Sequence, residues 1–213
     1  MVFEEVLELL GREPILETGL LLAGPQNPAY IHRQLAAWVR GGKLWQLRRG
    51  LYVPTTPYQK VTPHPFLVAN RMVPGSYVSL QTALAYHGLI PEYVPVVACV
   101  TARKPGNWNT PFGEMIYRSI RRDLIFGYRR ILVAQEQFAF VATPEKALLD
   151  LVYLEPGGDQ RAYLSSLRLQ NMDRIVPEYL LALATRMKKP KLTRAAMTII
   201  EFYEEEQDRY ATL

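Results

Sequence analysis

The chain has 213 residues, a net charge of +5 and 49% apolar residues. These values exclude bulk disorder and predict a folded core in one large domain or two small ones. The single cysteine, Cys99, excludes disulfides within the chain and thiolate metal centres, and it is expected in the core. No apolar run reaches the roughly 18 residues that span a bilayer, and the first ten residues lack the layout of a signal peptide. We therefore expect a cytoplasmic protein.

The positive charge is concentrated in a segment of 74 residues, 18–91, that contains no acidic residue. Its seven basic residues are Arg33, Arg40, Lys43, Arg48, Arg49, Lys60 and Arg71. A surface so poor in carboxylates has a positive potential and attracts polyanions, of which nucleic acid is the commonest. A basic segment also fits a solvated or membrane-facing surface, so the pattern around the charges has to decide between these partners.

The first forty residues predict three helices, over Phe3–Leu10, residues 14–22 and Pro28–Arg40. The third helix has the clearest signals. Asn27 is a good N-cap, and the missing N–H of Pro28 costs nothing in the first turn of a helix. No helix-breaking residue follows until a pair of glycines ends the segment.

The third helix has two distinct faces. Its apolar stripe, expected in the core, consists of Ile31, Leu35, Trp38 and Val39. The opposite stripe contains Tyr30, Arg33, Ala37 and Arg40 and is flanked by Gln34. A helix whose outer face is merely solvated usually carries both signs of charge, whereas this face has no acid. The small side chain of Ala37 would allow close approach to a surface.

A β-hairpin is predicted directly after this helix, over residues 43–54, with Arg48-Arg49-Gly50 as its turn. A helix followed by a hairpin with a basic tip is the layout of a winged helix-turn-helix domain. In that layout the helix enters the major groove of DNA and the wing lies along a phosphate backbone. We assign residues 1–57 to such a domain.

Eight residues form the predicted site for double-stranded DNA. Tyr30 and Arg33 are expected at base edges with the help of Gln34, since arginine forks onto guanine edges. The predicted phosphate contacts come from the end of the helix and the hairpin, namely Arg40, Lys43, Arg48 and Arg49. Asn27, at the start of the helix, completes the set. The alternative is a small module that binds protein, although the absence of acidic residues favours DNA.

A proline-rich connector, residues 54–65, predicts a domain boundary, and residues 58–213 are assigned to a second domain. The predicted strands, which form a small meandering sheet, are 96–101, 112–118, 124–126, 131–134 and 138–142. The predicted helices are 65–72, 79–88, 143–154, 160–169, 176–187 and 192–209. The fold class is therefore α+β, with an N-terminal winged helix-turn-helix and a C-terminal mixed domain in which a small β-sheet is followed by helices.

Two segments invite a catalytic interpretation. Glu145 beside Lys146 is typical of nuclease sites, but the capped start of a helix explains these residues without chemistry. Ser79 and His87 lie about 12 Å apart on one helix and cannot touch. Asp150 pairs with Lys146 across one turn, for roughly 0.5 kcal/mol. We predict no catalytic, metal or cofactor site, and a metal-dependent nuclease is kept as an alternative function.

A further basic patch surrounds two of the predicted strands and consists of Arg118, Arg121, Arg122, Arg129 and Arg130. It fits an extension of the DNA footprint or a surface for a partner. It equally fits a solvated strand edge whose charges discourage pairing with other strands.

Three further segments stand out in series: the helix and wing with residues 42–44 (GKL) and 48–53 (RRGLYV), residues 77–89 (YVSLQTALAYHGL) and residues 142–153 (ATPEKALLDLVY). Taken together, and in their order and spacing, they resemble the AbiE-type (abortive-infection) antitoxins. The resemblance covers about residues 25 to 155. It implies a bacterial transcriptional repressor whose N-terminal domain binds inverted repeats in the promoter of its own operon. It further implies a C-terminal domain that counteracts a nucleotidyltransferase-like toxin, with or without a stable complex, and it leaves the oligomeric state open.

Overall fold

A computed structural model describes residues 1–25 and 27–211 of the chain. The first part, here called the N-terminal module (residues 1–57), contains three helices and three short strands. In chain order these are α1 (Phe3–Leu10), β1 (Leu16–Glu17), α2 (Thr18–Leu22), α3 (Pro28–Arg40), β2 (Leu44–Arg48) and β3 (Leu51–Pro54). The strands form an antiparallel sheet in the order β1-β3-β2. This is the winged helix-turn-helix arrangement that the sequence predicts, with β2 and β3 as the wing.

Residues 14–22 do not form the single helix that we expected. Leu16 and Glu17 form β1 and pair with Tyr52 and Leu51 of the wing, and the helix begins only at Thr18. Leu16 is fully buried. The pairing of two residues with a distant strand has no local sequence signal, so tertiary contact decides the conformation here.

Helix α3 has the predicted bounds because both of its ends are specified locally. The side chain of Asn27 accepts a hydrogen bond from the backbone N–H of Ala29 at 2.8 Å, and Pro28 occupies the first turn. Ile31, Leu35 and Trp38 are buried. They pack in a small apolar cluster with residues of α1, β1, α2 and the wing, namely Phe3, Val6, Leu10, Leu16, Leu21, Leu44 and Tyr52.

The rest of the chain, here called the C-terminal module, is built on a six-stranded mixed sheet. Its first elements are α4 (Pro65–Met72), β4 (Tyr77–Val78), α5 (Leu80–Tyr86), β5 (Val97–Thr101), β6 (Gly106–Thr110) and β7 (Gly113–Ser119). These are followed by β8 (Tyr128–Ala134), β9 (Gln137–Ala142), α6 (Pro144–Leu154), α7 (Arg161–Ser166), α8 (Pro177–Arg186) and α9 (Pro190–Ala211). The strand order is β6-β7-β5-β4-β9-β8.

Two expectations about this sheet are wrong. It is not a meander, because β5 pairs with β7 and β4 pairs with β9 in parallel. Residues 124–126 are not a strand, since a short 3-10 turn, Arg122–Leu124, leads into a loop there. The α+β class itself is confirmed, with a sheet followed by helices in this part of the chain.

The two modules share a core. Ile15, Leu51 and Val53 belong to the large apolar cluster of the C-terminal module rather than to the small N-terminal cluster. On the same face of the wing, Trp45 lies opposite Val53, and its ring meets the Phe112 ring edge-on at 5.8 Å. This face of the wing therefore packs against the C-terminal module, and a boundary at residue 57 stays a prediction. In the part of the chain that the structure describes, no helix is both long and apolar enough to cross a membrane.

Candidate nucleic-acid interface

The outer face of α3 is exposed in the full chain. Arg33, Ala37 and Arg40 are exposed, as predicted from the spacing of the sequence. Arg33 and Arg40 are seven residues apart, so they point the same way at about 10 Å along the helix axis. Neither arginine forms an ion pair with a carboxylate of the described residues. This face therefore combines two uncompensated guanidinium groups with a small residue between them.

Tyr30 and Gln34 lie at the border of this face rather than within it. Both are partly buried, and Tyr30 packs against the N-terminal apolar cluster. The Gln34 amide donates a hydrogen bond to the Tyr30 hydroxyl at 2.9 Å. The Tyr30 hydroxyl can still donate its own proton to a ligand. The contact of Tyr30 and Gln34 with base edges stays a prediction.

The two ends of α3 contribute Asn27 and Lys43. Asn27 is exposed, and its side-chain oxygen caps the helix, which leaves its amide N–H groups available to a ligand. Lys43 follows the helix and is partly buried, with its ammonium 4.9 Å from the centre of the Phe3 ring and 5.7 Å from that of Tyr58. The ring contacts hold this cation near the end of the helix, where we predict a phosphate contact.

The two arginines of the wing have different positions. Arg49 is exposed at the two-residue turn of the hairpin. Arg48 instead turns towards the C-terminal module, where its Nη2 donates to the backbone carbonyl of Arg71 at 3.1 Å. Its Nη1 donates to the carbonyl of Arg49, and its Nε is buried. Two of the five N–H groups of its guanidinium are therefore used where the modules meet, and a phosphate contact of Arg48 stays a prediction.

The second basic patch is only partly free of other contacts. Arg121 pairs with Asp123 at 2.8 Å, and the Arg130 guanidinium lies 3.6 Å from the centre of the Phe138 ring. Arg118, Arg122 and Arg129 are exposed. The position of this patch on β7, β8 and the turn between them does not favour any of its three interpretations.

A buried polar cluster in the C-terminal module was not recognised in the sequence. Lys146 and Asp150 of α6 form an ion pair with no solvent exposure at either side chain. Tyr77 donates to Asp150 at 2.8 Å, Ser79 donates to the same oxygen at 2.9 Å, and Lys146 donates to the Tyr77 hydroxyl at 2.9 Å. The predicted pairing of Asp150 with Lys146 is confirmed. The small energy given for it does not apply, because neighbouring elements cover this whole side of α6.

Burial dominates the electrostatics of this cluster. It raises the pKa of the Asp150 carboxyl and lowers the pKa of the Lys146 ammonium, while their mutual attraction opposes both shifts. It also raises the pKa of the Tyr77 hydroxyl, which therefore remains a donor. Because the cluster is closed to solvent, these groups tie β4 and the start of α5 to α6. Ser79 thus bonds Asp150 instead of capping α5 with its side chain.

Gly127 closes one side of this cluster. Its backbone has a φ of +73°, and a Cβ at this position would lie 2.9 Å from Cγ of Lys146. The position therefore favours glycine both by conformation and by space. The Phe126 ring lies next to it, 5.3 Å from the Lys146 ammonium.

Glu145, the carboxylate considered for nuclease chemistry, and Glu136 have separate surroundings. Glu145 is buried and accepts a hydrogen bond from the backbone N–H of Val176 at 3.0 Å. Glu136 pairs with Arg12 at 3.6 Å on the surface. Among the described residues, no group of three or more histidine, cysteine, aspartate or glutamate side chains is arranged to hold a metal ion.

The fold has a counterpart among solved structures. The crystal structure of the RV2827C protein from Mycobacterium tuberculosis matches 92% of this chain and 75% of its own chain, with a TM-score of 0.54. The sequence identity is 17%, so the similarity concerns the fold alone. No family model and no curated protein matches the sequence.

Proposed function

We propose that this protein binds duplex DNA through α3 and the turn of the wing. The observation that carries the proposal is the exposed outer face of α3, with Arg33 and Arg40 unpaired by any described carboxylate. In helix-turn-helix proteins the N-terminal residues of such a helix contact base edges. Arg33 lies in that half of α3 and is proposed to contact a base, whereas Arg40 is proposed to bind phosphate.

We further propose that DNA binding represses the protein's own operon and that the protein acts there as an antitoxin. This part rests on the resemblance to the AbiE-type antitoxins. The operator would contain inverted repeats, read either by a dimer or by two monomers. The C-terminal module would counteract a nucleotidyltransferase-like toxin. The proposal places the protein in the cytoplasm with its DNA and includes no catalytic, metal or cofactor role.

Fluorescence anisotropy with a duplex from the promoter of the protein's own operon, and with a shuffled duplex, tests DNA binding. Arg33→Gln should weaken binding to the promoter by roughly 1–3 kcal/mol and bind the shuffled duplex almost unchanged. Arg40→Gln should weaken binding to both duplexes and reduce the salt slope by about 0.9. Equal affinities of these variants and the unmodified chain on both duplexes would contradict the proposal.

A matched control is provided by Lys188→Gln, which removes one charge from the connection between α8 and α9. It should leave the affinity and its salt dependence unchanged if α3 forms the interface. A parallel decrease in the control would show that net charge, rather than α3, determines binding.

The antitoxin role is tested by expressing the protein together with the gene beside its own. Growth arrest caused by that gene should be relieved by the unmodified chain and also by Arg33→Gln, since the toxin is met by the C-terminal module. Repression of a promoter reporter should be lost only in Arg33→Gln. Failure of the unmodified chain to relieve the arrest would contradict the antitoxin role. It would not bear on DNA binding, which the anisotropy measurements test separately.

A further inference from the structure

A cleft of about 750 Å³ lies where the wing meets the C-terminal module. Its cationic lining comes from Arg48 of the wing and from Arg103 and Lys104, in the loop between β5 and β6. Its apolar lining includes Met72, Val73 and Trp108. Small-molecule sites commonly have this size and combine a mostly apolar wall with a few convergent polar groups.

The three cations of the cleft have no carboxylate partner among the described residues. Neighbouring Arg71 differs, since Glu17 and Glu13 neutralise it at 2.7 and 3.4 Å. The cleft therefore has three uncompensated positive charges, which favour an anion with several oxygens, such as a phosphate.

Trp108 gives the cleft an aromatic wall that is held in place. Its ring meets the ring of buried Tyr117 edge-on at 5.0 Å. It also lies over the backbone of Gly106, where a Cβ would be 2.7 Å from the indole ring. A fixed indole beside phosphate-binding cations is the combination that recognises a planar base linked to a phosphate, because base–aromatic stacking tolerates any base.

We propose that this cleft binds a free nucleotide, with its phosphates at Arg48, Arg103 and Lys104 and its base against Trp108. The cleft is separate from the outer face of α3, and the proposal does not depend on DNA binding. Arg48 belongs to both the wing and the cleft, so the bound phosphate would contact the residue that joins the two modules.

Isothermal titration calorimetry of the full chain with ATP, AMP and inorganic phosphate tests this proposal. The nucleotides should bind more tightly than inorganic phosphate, because only they can stack on Trp108. Arg103→Gln with Lys104→Gln, both in an exposed loop, should weaken nucleotide binding about tenfold or more. Trp108→Leu should bring the affinity for AMP down to that for phosphate, and circular dichroism would check that this variant is folded.

The matched control is Arg122→Gln with Arg129→Gln, which removes the same charge from exposed positions outside the cleft and should bind nucleotides normally. Arg33→Gln with Arg40→Gln should also bind them normally, even if it no longer binds a duplex. The absence of nucleotide binding at millimolar concentration would overturn the proposal. The proposal would also be overturned if the Arg103 and Lys104 variant bound nucleotides with unchanged affinity, or if the unmodified chain bound inorganic phosphate as tightly as nucleotides. Binding of an oligonucleotide without binding of ATP or AMP would overturn it as well.

Discussion

Lys146 and Asp150 show how the surroundings of two residues determine the value of the same pairing. An exposed pair at this spacing on a helix contributes little to stability. A fully buried pair has lost its hydration, and each charge depends on its partner and on the hydroxyls of Tyr77 and Ser79. The signal for burial was present in the sequence, because the apolar residues from Ala147 to Val152 lie on all sides of α6.

Lys146→Met should lower the free energy of unfolding by about 3–5 kcal/mol, because it leaves a buried carboxylate without its cation. The double variant Lys146→Met with Asp150→Leu should lose much less free energy of unfolding than the two single variants lose together. Urea denaturation at pH 7 measures these differences. Arg121→Gln breaks an exposed pair with Asp123 and is the control, with a much smaller effect expected. A similarly small effect of Lys146→Met would contradict the importance of the buried pair.

The two neighbouring arginines of the wing provide a second residue-level test. Arg49→Gln should weaken binding to any duplex and reduce the salt slope by about 0.9, without a loss of stability. Arg48→Gln should instead lower the free energy of unfolding by about 1 kcal/mol or more, since it removes hydrogen bonds from a charged donor to backbone carbonyls. Anisotropy and urea denaturation on both variants measure these effects. The opposite pattern would show that Arg48, rather than Arg49, contacts DNA.

Among the elements, those with local signals were predicted and those formed by distant pairing were not. Helix α3 was predicted to the residue because Asn27, Pro28 and the glycines after Arg40 mark its ends. The strand β1 was missed, since two residues become a strand only by pairing with the wing. The strand Gly106–Thr110 was missed because three of its five residues are glycine or asparagine, which are depleted in strands.

The candidate site follows the same division. The exposed face of α3 could be derived from helical spacing, which needs no knowledge of the rest of the fold. The inward position of Arg48 could not, because it depends on where the C-terminal module meets the wing. The cleft containing Arg103 and Lys104 was missed for the same reason, since it combines residues far apart in the sequence.

Helix α4 begins with a cap that depends on pH. The Nδ1 atom of His64 accepts a hydrogen bond from the backbone N–H of Phe66 at 3.2 Å, so the ring must be unprotonated at that nitrogen. Burial lowers the pKa of His64 below its usual value of 6.5. The unfolded chain therefore binds more protons than the folded one, and the free energy of unfolding falls as the pH decreases through about 6.5.

His64→Asn should keep the cap, because asparagine is a good N-cap, and should remove this part of the pH dependence. Urea denaturation at pH 7.5 and at pH 5.5 should show a smaller difference in the variant than in the unmodified chain. Some dependence should remain, since burial also lowers the pKa of His87. His32→Asn, on the exposed side of α3, is the control for the loss of an imidazole. An undiminished difference in His64→Asn would contradict the cap as its source.

At the scale of the whole molecule, the shared core predicts that the two modules unfold together. Leu51 is fully buried and belongs to the large cluster although it lies in the wing. Leu51→Ala should lower the free energy of unfolding by about 2–5 kcal/mol. Calorimetry should show one transition in the unmodified chain, shifted as a whole in the variant. Two separate transitions, of which only one moves, would show that the modules are independent.

The apolar contact between the wing and the C-terminal module also affects how the protein can be dissected. A fragment ending at residue 57 would present Ile15, Leu51 and Val53 to water. Such a fragment would tend to aggregate or unfold at room temperature. If it failed to shift a promoter duplex in a gel, the cause would be its misfolding rather than the absence of a DNA-binding surface. Single substitutions in the intact chain are therefore the sound way to separate what each half contributes.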